Sequence, residues 1–127
     1  MRALIAALVC CCTCSNAFAE PTIAAGGLYG GPSQSVALCY VFNFGFATQP
    51  NVTMWDQNGH PVPLSFNNCN TLVAAGATCV ALANIANNMT YSCGAAGTTY
   101  QGNIPNLRGV LELRDANGHP LMNTPLH

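Results

Sequence analysis

Eight cysteines, three histidines and four carboxylates are the side chains of this sequence best suited to chemistry. The cysteines fall into two groups. Cys10, Cys11, Cys12 and Cys14 crowd an apolar stretch near the N-terminus, whereas Cys39, Cys69, Cys79 and Cys93 are spread along the rest. The second group has neither a C-x-x-C nor a zinc-type Cys-His spacing, so it reads as two structural disulfides rather than a redox pair or a metal site. The economical pairing joins Cys69 to Cys79 across a short turn and Cys39 to Cys93 across most of the fold. His60 and His119 occupy equivalent places in two D-x-N-G-H-P segments, and His127 is the last residue. Imidazoles brought together at one end of a fold can bind a transition metal, but solvated turn histidines are far commoner, so no metal site is assigned. Asp56 and Asp115 open turns, where an Asp side chain accepts backbone N–H bonds. Glu112 lies between Arg108 and Arg114, in place for a surface ion pair. No G-x-S-x-G, H-E-x-x-H, S-x-x-K or phosphate-cradling glycine loop is present. The reading is of a chain that is not an enzyme and uses no cofactor.

The elements that carry these residues are short. Glycine and proline recur every few residues, and the segments between them are β-branched or aromatic and often alternate, which is the spacing of strands. In Ser35 to Phe44, Ala37, Cys39 and Val41 share one side while Val36, Leu38, Tyr40, Phe42 and Phe44 share the other. Both faces are apolar, so this strand is expected at the centre of a sheet. Leu107 to Asp115 alternates Leu107, Gly109, Leu111 and Leu113 with Arg108, Val110, Glu112 and Arg114, giving one core face and one wet face. Further strands are expected at Thr22 to Leu28, Pro63 to Asn67, Thr78 to Ala83, Met89 to Cys93 and Pro120 to Asn123, with a short helical turn at Asn84 to Asn88. Asn58-Gly59 and Asn117-Gly118 predict tight hairpins of type I′, with positive φ at both central residues. Gly94 to Asn106 reads as a long uncharged loop. Seven to nine strands in about 100 residues is the density of an all-β, two-sheet sandwich.

Composition limits the function. Charged residues are 6% of 127, with 3 Lys+Arg against 4 Asp+Glu. Arg2, Arg108 and Arg114 are the only strong cations and there is no lysine, so no patch can neutralise a run of phosphates or hold an anionic membrane surface. Nucleic acid is excluded as a partner. Met1-Arg2, the apolar run Ala3 to Cys12 and the A-x-A site Ala17-Phe18-Ala19 read as a secretory signal peptide over 1–19, too short to span a bilayer and leaving 20–127 as one domain. A lipid anchor at Cys10 is the alternative. Removal of the signal peptide leaves the four spread cysteines in an oxidising compartment, periplasmic or extracellular.

The ordered segments C-Y-V-F-N-F-G, C-N-T-L-V-A-A-G-A-T-C, Y-S-C-G and L-R-G-V-L-E-L-R-D-A-N-G resemble those of small exported bacterial domains with an immunoglobulin-like sandwich. In that group a strand ending N-x-G precedes a Cys-bracketed turn. The chain is similar also to envelope modules carrying L-x-P-G-x-x-C, with Val73 and Ala75 here in the Leu and Pro positions. The resemblance implies a fold but no activity. The expected role is therefore a disulfide-stabilised interaction module of the cell envelope that binds a protein partner. A subunit of a pilus, coat or tail, forming homo-oligomers, and a small secreted inhibitor are the alternatives. The candidate partner contacts are Tyr40, Phe42 and Phe44, which either fill the core or form an exposed aromatic strip, together with Tyr100 in the long loop.

Overall fold

The computed structural model describes residues 22–98 and 105–127; residues 1–19, expected to be a signal peptide, and Tyr100 lie outside them. Eight strands are present among the described residues: β1 (Thr22–Tyr29), β2 (Gln34–Asn43), β3 (Pro50–Asp56), β4 (Phe66–Asn67), β5 (Thr78–Asn84), β6 (Thr90–Gly97), β7 (Leu107–Asp115) and β8 (Pro120–Leu126). They form two antiparallel sheets, β1-β6-β3 and β4-β5-β2-β7-β8. The expected all-β sandwich is the observed one. β2 is central, paired to β5 and β7 along nearly its whole length.

The core lies where the alternation places it. Ala37, Cys39 and Val41 of β2 and Leu111 and Leu113 of β7 are fully buried against Met54 of β3 and Cys93 and Ala95 of β6. Cys39–Cys93 bridges the two sheets through this core, and Cys69–Cys79 closes the turn between β4 and β5, so both expected pairings are present. Chain-entropy arguments assign roughly 4 kcal/mol to the longer bridge and roughly 3 to the shorter.

In an immunoglobulin constant domain the sheets are A-B-E-D and C-F-G. Strands β2 to β6 follow that partition, with β2, β5 and β4 adjacent as B, E and D are, and β3 beside β6 as C is beside F. The Cys39–Cys93 bridge joins β2 to β6, the positions that B and F hold in that partition. Tyr91, two residues before Cys93, donates its hydroxyl to the Ala86 carbonyl (3.3 Å) and accepts from the Ala86 N–H (2.9 Å), the arrangement of a tyrosine corner. The flanking strands differ: β1 takes the place beside β6, and β7 the place beside β2.

Four expectations need correction. Residues 94–97 belong to β6 and not to a loop: Ala95 is fully buried, and Gly94 and Gly97 are there to admit Trp55 and Pro105, whose atoms would lie 3.0 Å and 2.7 Å from an added Cβ. Pro63 to Asn67 shrinks to β4, since Pro63 has no N–H for a ladder. Residues 85–89 form a turn without helix. The twin hairpins are not type I′, because Gly59 (φ 78) and Gly118 (φ 83) are left-handed while Asn58 and Asn117 are not. Gly59 N–H bonds Asp56 O at 3.0 Å and Asp56 N–H bonds His60 O at 3.0 Å, the pattern of a type I turn closed by a glycine bulge, and the second turn repeats it.

Candidate functional site

The two ends of the sandwich are each fastened by one buried amide. At one end Asn43, 1% exposed, donates to the carbonyls of Phe46 (2.8 Å) and Val73 (2.9 Å) and accepts from Gly45 N–H (3.0 Å). It ties the loop after β2 to the Cys69–Cys79 turn, which is the physical content of the N-x-G motif. At the other end Gln34 donates to the carbonyls of Ala86 and Met89, each at 2.7 Å, and accepts from Gly30 N–H. These are structural staples with every polar group satisfied. Asn43 enters the sequence reading only as the Asn of N-x-G, without this role, and Gln34 not at all.

The twin turns sit at the Gln34 end, on opposite sheets: Asp115 pairs across to Gln34, and Asp56 to Tyr91. His119 Nδ1 lies 3.1 Å and His60 Nδ1 3.5 Å from the carboxylate of its own turn aspartate. Backbone N–H groups, first those of His60 and His119, hold Asp56 and Asp115 below the ordinary carboxylate pKa. Each imidazole is engaged within its own turn, and among the described residues no three His, Cys, Asp or Glu side chains converge on a metal position. No helix among them is long and apolar enough to cross a membrane.

The surface with the most distinctive chemistry is the outer face of the five-stranded sheet. Because β2 is apolar on both sides and the second sheet covers only one, Val36, Tyr40 and Phe42 are left half-exposed, and Phe44, just beyond the strand, is 65% exposed. Register sets Val80, Tyr40, Val110 and Pro125 in one row across the sheet and Phe66, Leu82, Leu38 and Glu112 in the next. Phe42 stands opposite Arg108, and its ring is 6.5 Å from that of Phe44 at 32°. Phe42, Phe44, Arg108, Val110 and Pro125 border a shallow groove of about 420 Å³. A smaller hollow of about 190 Å³ lies beside Val36, Leu38, Leu82 and Arg114.

Polar groups frame this strip. Arg114 donates to Glu112 and, at 3.1 Å, to the Tyr40 hydroxyl, and the bond to Glu112 raises the guanidinium pKa further above its ordinary value. Of the two readings left open, neither holds throughout: Tyr40 and Phe42 are partly buried on this outer face, and Phe44, at the end beyond them, is exposed. The chain that follows β6 begins at this same end, since Phe44 N–H bonds Asn106 O at 2.8 Å and Thr48 Oγ1 donates to Thr98 O. The groove offers apolar contact beside Arg108 and His127, which suits recognition. No known protein family, curated protein or solved structure matches the chain.

Proposed function

We propose that this chain is a secreted, non-enzymatic binding module with an immunoglobulin-like sandwich, working in the periplasm or outside the cell, and that it holds a protein partner on the outer face of its five-stranded sheet. The observation carrying the reading is the run of Val36, Tyr40, Phe42 and Phe44 along one face, partly exposed and ending in the 65% exposed Phe44, with Leu82, Val110 and the exposed Phe66 beside it; Tyr29, Phe46, Leu72 and Met122 are the other exposed large apolar side chains among the described residues. A contiguous apolar face of this kind on a small domain marks an interaction surface. Two disulfides, one of them bridging the sheets through the core, support an oxidising compartment.

Assembly into a pilus, coat or tail by strand addition ranks below this reading because the sheet edges are clasped. β4 has two residues. β3 is pinned at its ends by the bridges Trp55–Pro61 and Thr48–Val73, and β1 is joined to the end of β8 by paired bonds between Ala24 and His127. An inhibitor would need a rigid protruding loop, and the one expected at residues 94–106 loses its first four residues to β6.

The deciding experiment compares the wild-type protein with a Tyr40→Ser, Phe42→Ser, Phe44→Ser variant in co-purification from the envelope of the producing cell, with light scattering on both. The module reading expects a monomer and a captured partner that the variant loses. Concentration-dependent oligomers would favour the assembly subunit, and capture unaffected by the variant would place the binding surface elsewhere.

A further inference from the structure

The outer face of the five-stranded sheet also carries the arginines of the described residues. Among the described residues the strong cations are Arg108 and Arg114; both belong to the wet side of β7, and the chain has no lysine. Their surroundings differ. Arg114 is held by Glu112 and Tyr40. Arg108 is exposed, bonds only to its own neighbour's carbonyl, Leu107 O, at 3.1 Å, and makes no ion pair among the described residues. It stands opposite Phe42 in the register, at the border of the groove formed with Phe44, Val110 and Pro125. Among the described residues the carboxylate side chains lie elsewhere or are spent, Asp56 and Asp115 holding their turns and Glu112 pairing with Arg114; the other titratable side chain that lines the groove is His127.

Resting on the binding-face reading above, we infer that the partner presents an acidic, apolar segment, with a carboxylate taken by Arg108 and a flanking apolar side chain laid against Phe42 and Phe44. A guanidinium has a fork of donors that matches a carboxylate, and the charge-assisted bond is stronger where adjoining apolar surface excludes water. The same Arg108 repels a basic segment, so the face discriminates by charge while the apolar strip supplies contact area.

The test uses the disulfide-bonded mature protein and a displayed library of random twelve-residue peptides, with NMR shift mapping of the peptides selected. The expected result is enrichment of Asp or Glu next to aromatic or aliphatic residues, with shifts on β2 and β7. Exchanging the acidic residue for its amide should weaken binding roughly tenfold in wild type and hardly at all in Arg108→Gln. Peptides that need Phe42 but are indifferent to charge, or that carry Lys or Arg, overturn the acidic specificity and leave the binding face standing. Peptides unaffected by Phe42→Ser, or no selection at all, overturn both. Self-association through Phe42 would make a second copy the occupant and equally overturn the inference.

Discussion

The outer faces of the two sheets are built from the same strand pattern and have opposite character. On the three-stranded sheet most outward residues are small or polar, such as Ala24, Asn51, Thr53 and Ser92; of its two large rings, Trp55 is laid over Gly94 with its atoms about 3 Å from where a Cβ would stand, and Tyr29, 50% exposed at the end of β1, donates its hydroxyl to Asn88 Oδ1 at 3.1 Å. On the five-stranded sheet the outward residues are Val36, Leu38, Tyr40, Phe42, Val80, Leu82 and Val110; Leu38 is buried among its neighbours and Arg114 reaches the Tyr40 hydroxyl, while the others stay partly exposed. The large rings of the first face are each engaged by a specific contact; on the second, Phe42 and Phe44 touch mainly each other and stay open at the groove. The difference teaches that apolar content on a sheet's outer side carries functional information only when the fold makes no use of it.

Cutting the tie between the sheets removes the comparison altogether. Replacing Cys39 and Cys93 by Ala should lower unfolding free energy by roughly 4 kcal/mol, against roughly 3 for Cys69 and Cys79, as read by urea denaturation. Truncating Trp55 to Ala opens the space above Gly94 and should cost about 2 kcal/mol without touching partner binding. Val at Gly59 or Gly118 forces a β-branched residue into positive φ, at about 1–2 kcal/mol each. The two should then part company. Gly118 leads into β8, whose Pro125 borders the groove, so its variant should weaken binding, whereas the turn at Gly59 leads only to the bridge Trp55–Pro61. Phe44→Ser, on an exposed ring, should change stability by less than about 0.5 kcal/mol and still reduce binding.

Acid should act on the turns and spare the faces. Asp56 and Asp115 have folded pKa values below the ordinary 3.8, so the unfolded chain binds protons more readily than the folded one. Their contribution is complete above the unfolded value and is lost as pH falls through the lower folded value. Melting temperature should therefore decline below about pH 4, less steeply in Asp56→Asn and Asp115→Asn variants.

The strand map was legible because the period-two pattern is strict in β2 and β7, and the disulfide pairing because Cys39 shares a face with Ala37 and Val41. Asn43 could have been found by the same count: it is in phase with Cys39 and Val41, a polar residue at a core position just before Gly45. Gln34 could not, because the register shift between Gln34 and Val36 reverses the face and an alternation count runs straight through it. The turn type was misread because Asn-Gly serves both a type I′ turn and a type I turn with a glycine bulge, and the choice lay with the Asp56 and Asp115 carboxylates that accept N–H bonds from two residues on. Gly94 and Gly97 looked like loop formers, yet their function is to let Trp55 and Pro105 approach a strand. What the aromatic strip would do depended on which sheet covered it, and that is a tertiary fact.

The central claim is that the outer face of the five-stranded sheet, and not that of the three-stranded sheet, meets the partner. Site-specific photo-crosslinking in the producing cell tests it directly, with the photoreactive residue placed at Phe42 or Val110 on one face and at Asn51 or Thr53 on the other. The account predicts one discrete adduct from Phe42 and Val110 and none from Asn51 and Thr53; adducts from the second pair alone would contradict it.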